Sequence, residues 1–394
     1  MDNSAAIATF IPARRRGACP TLETPMQTGD GLLARIRVQH RTLSPIQLVE
    51  LARLAIVHGN GILEVSARGN LQARGLNDES APRFAKCVSN LVSLEPGLVI
   101  DVSPLAGDDP TEIADPLPLA ARIRLGAQSL EEKLGPKVSV IIDGGGQVAL
   151  SQLNADIRLI AQDETHWAVH LGGGKPQIMD TDGAIAATLA VLGALAAIGP
   201  EARASDLFAS SAGAAPISIR SRRGAGIALK LLGGSTHAIA LPFGQMQSEA
   251  IIALGEAAVA NGVTQLRLAP DHTLLLDNAP AALISIAEKL GYITDLSDPR
   301  QRTSACIGNE GCASGHIASR RIATDLVHLI PAGQHLHVSG CAKGCAHPRP
   351  SAITLVGRAD GIGLVIDGRA GDTPQQILDE AGLAPALAVW QDTR

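Results

Sequence analysis

The pattern of hydrophobic and polar positions repeats in two distant parts of the chain. In the first part, a strand pattern (Gly29–Val38) is followed by a helix pattern (Leu43–Ala55) and then by two strands in a hairpin (Asn60–Gly75). Leu48 and Leu51 fall on one face of the helix, as expected for a helix that packs on a core.

The second part has the same order of elements. A strand (Gly224–Leu232), a helix (Met246–Ala258) and a hairpin (Asn261–Leu276) follow one another, again with Gly-x-Gly before the strand and Asn-Gly before the hairpin. The two copies lie about 200 residues apart, half the length of the chain. A period that long indicates duplicated domains rather than a solenoid.

Other elements separate and follow the two copies. After a Pro- and Asp-rich loop (Ser103–Pro118), apolar runs predict strands at Lys137–Asp143 and Trp167–Gly174. An Ala-rich run of 16 residues (Ala184–Gly199) is too short to span a bilayer comfortably and is interpreted as a buried helix. The polar segment Asp295–Ser304 resembles a linker before the cysteine-rich end of the chain.

Composition narrows the function classes. The net charge is −5 and aromatic residues make up 2% of the chain, so neither counterion release nor base stacking favours nucleic-acid binding. A hydrophobic content of 46% excludes disorder. The six cysteines are too few for a disulfide scaffold, and the N-terminus shows no secretory signal pattern. We expect a cytoplasmic protein in a reducing compartment, with no membrane and no nucleic-acid partner.

The cysteine spacing near the end of the chain carries the most specific chemistry. One loop reads CIGNEGC and another reads CAKGC, and between them the pattern predicts a helix (Ser314–Ile330) and a strand (His335–Ser339) that bring the loops together. The four cysteines are Cys306, Cys312, Cys341 and Cys345.

Four thiolates from two glycine-containing turns are a ligand set for a 4Fe-4S cluster, and glycine lets the backbone approach the sulfides. Zinc is the competing hypothesis, although structural zinc sites usually have tighter C-x2-4-C pairs. A site without metal is the remaining alternative. Cys19 and Cys87 stand alone, and we expect them to pack in apolar surroundings.

The C-x5-C and C-x3-C loops resemble the cluster signature of the sulfite and nitrite reductase superfamily. The flanking SGCAKGCAHP and ITLVGRADGIGLVIDG resemble its cluster loop and following strands, and EVSARGNLQARG resembles its strand with a substrate-facing arginine. The resemblance implies an α+β fold, in which duplicated ferredoxin-like half-domains alternate with two reductase-type α/β domains. The implied boundaries are 13–80, 81–205, 218–294 and 300–394.

Within the superfamily, RGACPTLETPMQTGDGLLARIR and VSPLAGDDP resemble a branch that oxygenates a tetrapyrrole in aerobic cobalamin biosynthesis. By motif, Arg68 and Lys137 match two catalytic cations of the reductases. Ser139 stands where a second lysine is expected, and the stretch Gly97–Val102 lacks an expected arginine. Loss of two cations from a small-anion pocket favours the oxygenase. A sirohaem-dependent sulfite or nitrite reductase is the alternative, and a cluster-containing carrier without catalysis is a third hypothesis.

The resemblance also implies a reaction. Precorrin-3A would be hydroxylated by O2 beside ring A, and a ring A acetate would close to a γ-lactone. A 4Fe-4S cluster and a non-haem iron would serve as cofactors, with NADH as indirect reductant through an electron-donor reductase. Sirohaem would be present only under the alternative.

A substrate with many carboxylates calls for a cavity lined mainly by arginine. We expect Arg68 and Arg74 to share a strand face with Asn70 and Gln72, because alternate residues of a strand point the same way. The predicted substrate-binding residues are Arg35, Arg37, Arg68, Asn70, Gln72, Arg74 and Lys343.

The ligands of a second iron are not assigned. His335 and His337 lie two apart on the predicted strand and therefore share a face. His316 and His347 lie close to the cysteines in sequence, but no carboxylate accompanies any of the four at an obvious spacing. Arg14–Arg16 are interpreted as a solvated terminal run.

Overall fold

The structure is a computed structural model that describes residues 19–148, 150, 153–208 and 236–392. The strand predicted at Gly224–Leu232 and the basic run Arg14–Arg16 lie outside the described residues. The described helices are α1 (Pro45–His58), α2 (Ser80–Leu91), α3 (Leu117–Ala127), α4 (Thr181–Ile198), α5 (Ala204–Leu207), α6 (Ser248–Ala260), α7 (Ala281–Lys289), α8 (Ser319–Leu326) and α9 (Glu380–Asp392).

The strands form four sheets. The described strands are β1 (Met26–Thr28), β2 (Gly31–Ile36), β3 (Thr42–Leu43), β4 (Ile62–Val65), β5 (Leu71–Leu76), β6 (Val99–Asp101), β7 (Ser139–Asp143), β8 (Ile157–Ala161), β9 (His166–Leu171), β10 (Gln177–Asp180), β11 (His237–Ala240), β12 (Gln245–Gln247), β13 (Leu266–Ala269), β14 (Thr273–Leu276), β15 (Thr303–Ala305), β16 (Leu336–Ser339), β17 (Ser351–Arg358), β18 (Gly361–Gly368) and β19 (Gln376–Leu378).

The two sequence copies form two sheets that exchange a strand. The first half sheet has the order β1-β2-β5-β4-β12, and the second half sheet has the order β11-β14-β13-β3. Strand β12 of the second copy therefore completes the first sheet, and β3 of the first copy completes the second. Helices α1 and α6, which follow these exchanged strands, pack against each other, so the duplication predicted from the repeat is present in the fold.

Helix α1 begins at Pro45, two residues after its predicted start at Leu43, because Ser44 is its N-cap. Ser44 forms a capping box with Gln47, since its hydroxyl accepts the Gln47 backbone N–H (3.2 Å) and the Gln47 side chain accepts the Ser44 N–H (2.9 Å). Pro45 at the first helical position needs no N–H partner. The buried residues Leu48 and Leu51 then face the core beneath the first half sheet.

That sheet has one apolar and one polar face, because successive residues of a strand point in opposite directions. Alternate positions of β2, β4 and β5, among them Ile36, Leu63 and Ala73, join the helices in a common core. The intervening positions carry polar and charged side chains. These are Arg35, Glu64, Gln72 and Arg74, and they are called the polar face below.

The two remaining sheets share one topology. The middle sheet (β6 to β10) and the cysteine sheet (β15 to β19) each consist of three parallel strands followed by two antiparallel strands. Helix α4 has the length and hydropathy of a membrane span. It packs Val191, Leu192 and Leu195 into the core of the middle sheet, as a helix of a packed domain does.

Three expectations need correction. Arg68 is not on a strand, because Ser66 and Asn70 pair with each other and enclose it in the turn between β4 and β5. The helix predicted at Ser314–Ile330 is shorter: α8 is preceded by turns and followed by a single 3-10 turn. Cys87 is exposed on α2 rather than buried.

Candidate functional site

The cysteine loops meet at one edge of the cysteine sheet. Cys306 follows β15 directly, and Cys341 follows β16 after Gly340. Strands β15 and β16 are neighbours and parallel, so their carboxyl ends lie side by side. The Gly340 N–H points at the Cys306 sulfur at 3.0 Å, and the His316 N–H donates to the Gly340 carbonyl at 2.8 Å.

The close approach of the loops depends on glycine. Gly308 has a φ of +67°, and a Cβ there would lie 2.2 Å from the Ile317 carbonyl oxygen. A Cβ on Gly340 would lie 2.9 Å from the Gly308 Cα and 3.4 Å from the Cys306 sulfur. Any larger side chain at Gly340 would therefore push the two cysteine loops apart.

The four thiols are near enough to influence one another. Burial raises the pKa of Cys345, and Cys341, Cys306 and Cys312 raise it further because each would repel a second negative charge. A positively charged group between the four thiolates would offset this repulsion. All four cysteines are free thiols in the structure.

This donor set fits an iron–sulfur cube. Among the described residues, no three His, Cys, Asp or Glu side chains converge on one point as they would around a lone ion. A cube binds its four thiolates on four different irons, so its ligands stand apart, and its sulfides accept backbone N–H groups of the kind Gly340 provides. The N–H that Gly340 directs at the Cys306 sulfur is one that a cluster ligand can accept, so the four thiols fit this group.

Lys343 connects the two loops. Its ammonium donates to the Ser314 hydroxyl at 2.8 Å, two residues beyond Cys312. Because Lys343 is exposed and lies between Cys341 and Cys345, it adds positive charge at the rim of the cysteine site. Its predicted role in substrate binding stays a prediction.

The polar face of the first half sheet lies against the cysteine loops. Arg74 forms two hydrogen bonds to Asp30 (2.8 and 2.9 Å) and donates to the Gly311 carbonyl (3.2 Å), just before Cys312. The Gly29 N–H donates to the same carbonyl at 3.0 Å. Asp30 and Arg74 are both largely buried, so their ion pair and the hydrogen bonds to the Gly311 carbonyl fix the first cysteine loop against the sheet.

A chain of polar contacts runs across this face. Arg35 donates twice to the Gln72 side-chain oxygen (2.9 and 3.0 Å), and the Gln72 amide donates to Glu64 (2.9 Å). Glu64 also accepts a longer contact from Arg74 (3.5 Å) and one from Arg320 on α8 (3.0 Å). The guanidiniums of Arg35, Arg74 and Arg320 outnumber the carboxylates of Asp30 and Glu64, so this region keeps a positive charge.

Other predicted residues lie elsewhere. Arg68 donates to Asp101 (2.5 Å) and to the Asn154 carbonyl (2.7 Å), which joins the β4–β5 turn to the middle sheet. Asp101 is buried and is also paired with Arg41. The Asn70 backbone closes the turn, and Lys137 lies in the turn before β7.

Arg37 lies just beyond β2. It donates to the carbonyls of Gly97 (2.8 Å) and Leu98 (3.3 Å), and Glu95 lies 3.8 Å away. Its guanidinium therefore ties the first half sheet to the segment that leads into the middle sheet. A catalytic role for Arg68 and Lys137, and substrate binding by Arg37 and Asn70, stay predictions.

Three histidines cluster beside the cysteine loops: His335 and His337, for which the sequence predicts a shared face, and His347, which follows Cys345. The rings of His335 and His347 stack at 4.4 Å, and those of His337 and His347 are 5.7 Å apart. Burial and the neighbouring histidines lower the pKa of His335 to about 3 and that of His337 to about 4, so both are neutral at pH 7. In the described part of the chain, no carboxylate completes a ligand set with them.

A surface depression of about 330 Å³ lies between α1 and α6, lined in part by Val49 and Val259. It opens on the helix layer, whereas the cysteine loops contact the opposite, polar face of the sheet. The depression therefore belongs to the packing of the two copies and not to the candidate site.

Sequence reasoning missed three residues of the site. Asp30, Glu64 and Arg320 carry its buried ion pairs, but carboxylates were not expected beside a pocket for an acidic substrate. The one signal for Glu64 is its position two residues before Ser66 in the strand that resembles the reductase motif. Arg320 had no signal, since its partner Glu64 is 256 residues away.

The fold and the cysteine loops define a member of the nitrite and sulfite reductase superfamily. Residues 24–86 match the family model for the nitrite/sulfite reductase ferredoxin-like half domain. The structure also resembles that of Mycobacterium tuberculosis NirA protein, with a TM-score of 0.66 over 92% of this chain and 80% of that one, at 18% identity. The architecture is thus α+β, with ferredoxin-like halves alternating with reductase-type domains.

A second comparison is more specific. A precorrin-3B synthase from Sinorhizobium sp is 38% identical over 409 aligned residues, which cover 97% of this chain and 89% of the relative. The chain belongs to the precorrin-3B synthase family. It is an enzyme, an oxidoreductase of the monooxygenase type with a role in cobalamin biosynthesis.

Proposed function

We propose that this enzyme hydroxylates precorrin-3A with O2 and closes a ring A acetate to a γ-lactone. In the overall reaction, one oxygen atom enters the product and the other leaves as water. Two electrons and two protons are consumed, which one NADH and one proton supply through a separate reductase. The observation that supports the proposal is the meeting of four thiols with an arginine-bearing polar face in a chain of this family.

We assign Cys306, Cys312, Cys341 and Cys345 as the ligands of a 4Fe-4S cluster. Such a cluster passes electrons singly, which O2 chemistry requires because ground-state O2 does not react directly with closed-shell carbon. The cysteine sheet contributes a fixed edge for the thiolates, and the Gly340 N–H stabilises the negative charge of Cys306. A non-haem iron is part of the proposal, without assigned ligands.

The polar face orients the substrate. Arg35 is partly buried and is held by Gln72 in a fixed orientation, so its guanidinium can receive a carboxylate without first becoming ordered. Arg74 keeps its own carboxylate partner, Asp30, and therefore acts mainly by positioning the cysteine loop. Lys343 adds an exposed positive charge at the rim, where a peripheral carboxylate of the tetrapyrrole would lie.

The proposal is tested on protein purified without oxygen. Iron and sulfide are measured and the reduced protein is examined by EPR. Precorrin-3A, reductant and ¹⁸O₂ are then added. We expect four iron and four sulfide atoms per chain, and a product that carries one labelled oxygen. Conversion without incorporated label would overturn the oxygenase, and a chain that holds zinc in place of iron would overturn the cluster.

The same sample tests the reductase alternative. Sirohaem gives a strong Soret band and red bands, whereas a cluster alone gives a broad brown absorption. We expect the latter, and no reduction of sulfite or nitrite by the protein with a chemical reductant. Turnover of precorrin-3A also excludes a carrier without catalysis.

A further inference from the structure

Arg320 is the second residue of α8, the helix that follows the first cysteine loop. Its guanidinium crosses to the first half sheet, where one nitrogen donates to Glu64 at 3.0 Å. The other two nitrogens, Nε and Nη1, are buried and have no hydrogen-bond partner among the described atoms. A buried donor without an acceptor is costly, so its presence points to an acceptor that the chain itself does not provide.

The surroundings of Arg320 identify where that acceptor lies. Burial and the charge of Arg74 lower the pKa of Arg320, whereas Glu64 and Cys306 act in the opposite direction. The neighbouring residue Ser319 has its hydroxyl 3.7 Å from the Cys306 sulfur. Arg320 therefore leaves the backbone beside the Cys306 corner of the thiol set, and its guanidinium extends from there to Glu64.

Two polar groups lie close to the Cys306 sulfur. The Gly340 N–H donates to it at 3.0 Å, and the Cys306 thiol donates to the Ser319 hydroxyl at 3.7 Å. Positive charge and hydrogen bonds near a cluster stabilise its reduced form, because reduction adds negative charge. Glu64 acts in the opposite sense, since its carboxylate brings negative charge close to the same corner.

We propose that Arg320 is a positioning residue for the iron–sulfur cluster: its buried guanidinium raises the cluster's reduction potential through the Cys306 corner, and Glu64 holds it there while partly offsetting its charge. The inference rests on the cluster assigned under the proposed function. The polar face then has a second role, which is to restrain Arg320. Glu64, which accepts from Arg320, also accepts from the Gln72 amide, and Gln72 in turn accepts from Arg35.

The test is a redox titration of the purified, cluster-loaded enzyme, followed by the EPR signal of the reduced cluster, with dithionite as the donor of one electron per cluster. The variants are Arg320→Gln, Arg320→Lys and Glu64→Gln. Arg321→Gln is the matched control, because Arg321 is the next residue on α8 but is exposed and paired with Glu380. Iron and sulfide content are measured for every variant.

We expect Arg320→Gln to shift the potential to more negative values and Glu64→Gln to shift it to more positive values. The potential of the Arg320→Lys enzyme should stay near that of the wild type, since lysine keeps the positive charge. The potential of the Arg321→Gln enzyme should be unchanged. Shifts of opposite sign are not produced by loosened packing alone. If Arg320→Gln fails to hold a cluster, the direction of the shift in Glu64→Gln still decides the outcome: a shift to more negative values would overturn the inference.

A loaded Arg320→Gln enzyme with an unchanged potential would overturn the inference and leave the proposed function intact. Shifts of equal sign in the Arg320→Gln and Glu64→Gln enzymes would also overturn it. A wild-type protein that binds no cluster would overturn the proposed function, and the inference with it.

Discussion

The middle sheet and the cysteine sheet have the same strand order and the same directions, yet their loops carry different chemistry. In the middle sheet, carboxylates satisfy the loop N–H groups: Asp143 accepts from Gly145 and Leu150, and Asp109 accepts from Gln147. In the cysteine sheet, the sulfur of Cys306 takes that place and accepts from Gly340. The topology provides an edge where two loops meet, and the residues in the loops decide what that edge can bind.

Both edges need glycine for the same geometric reason. A Cβ on Gly144 of the middle sheet would lie 2.4 Å from the Ala114 carbonyl oxygen, and one on Gly340 would lie 2.9 Å from the Gly308 Cα. The close approach of the loops is thus a property of the shared scaffold. The proposed ability to hold iron belongs to the loops of the cysteine sheet, and changing each element in turn tests this comparison.

The largest effect is expected from a cysteine. Cys345→Ser should abolish the cluster and lower activity by more than about 100-fold, because a hydroxyl is a poor ligand for iron and even residues behind metal ligands can cost that much. Iron, sulfide and turnover are measured together. Cys87→Ser, at an exposed position on α2, is the control and should behave like the wild type. Full activity in the Cys345→Ser enzyme would show that the site works without its fourth thiol.

The next effect concerns the approach of the loops. Gly340→Ala should destabilise the cysteine sheet by about 1–3 kcal/mol through steric overlap and should accelerate the loss of iron to a chelator. Gly193→Ala, in α4 with no atom within 4 Å of the added Cβ, is the control and should be neutral or slightly stabilising. Equal rates of iron loss in the two variants would contradict the packing argument.

Arg68 tests the joint between the first half sheet and the middle sheet. Arg68→Ala leaves buried Asp101 with Arg41 alone, and we expect a loss of about 1–3 kcal/mol in the free energy of unfolding. Arg53→Ala, which removes exposed ion pairs, should cost less than about 1 kcal/mol.

For the Arg68→Ala enzyme we also expect a raised KM for precorrin-3A. An unchanged KM in that variant would remove Arg68 from the substrate site.

The smallest effect is a pH dependence confined to the middle sheet. Burial, together with Asp109, Asp115 and Asp143, raises the pKa of Glu112 to about 7 from its ordinary value of 4.5. The folded chain therefore binds this proton more tightly than the unfolded chain, and the stability falls as the pH rises from about 4.5 to about 7.

Glu112→Gln removes the loss of stability that ionisation of the Glu112 carboxyl causes. At pH 8 its Tm should exceed that of the wild type by roughly 1–3 °C, and the difference should disappear near pH 4. Thermal unfolding monitored by circular dichroism gives the comparison, with Glu132→Gln at an exposed position as control. The same Tm difference at both pH values would mean that the carboxyl does not titrate as described.

Local patterns predicted the fold well because their causes are local. The leucine spacing predicts α1, and the cysteine spacing places the two loops on neighbouring strands. Arg68 was misplaced because a turn closed by Ser66 and Asn70 has the same alternating letters as a continuing strand.

The ion pairs of the site could not be predicted in the same way. The link between Arg320 and Glu64 and the link between Arg74 and the Gly311 carbonyl join segments more than 200 residues apart. Nothing in the residue pattern of either segment specifies its partner. Contacts of this kind follow from the docking of whole sheets, and single-sequence periodicity does not describe docking.

The exchange of β3 and β12 has a consequence for biosynthesis on the ribosome. Until residue 247 has left the exit tunnel, β4 has no neighbour on one side, and its backbone N–H and C=O groups form an open edge on a hydrophobic sheet. More than half of the polypeptide is therefore translated before the N-terminal copy can finish folding. Nascent chains of this enzyme should depend on chaperones during that interval, and a premature stop before β12 should yield an aggregating fragment rather than an independent domain.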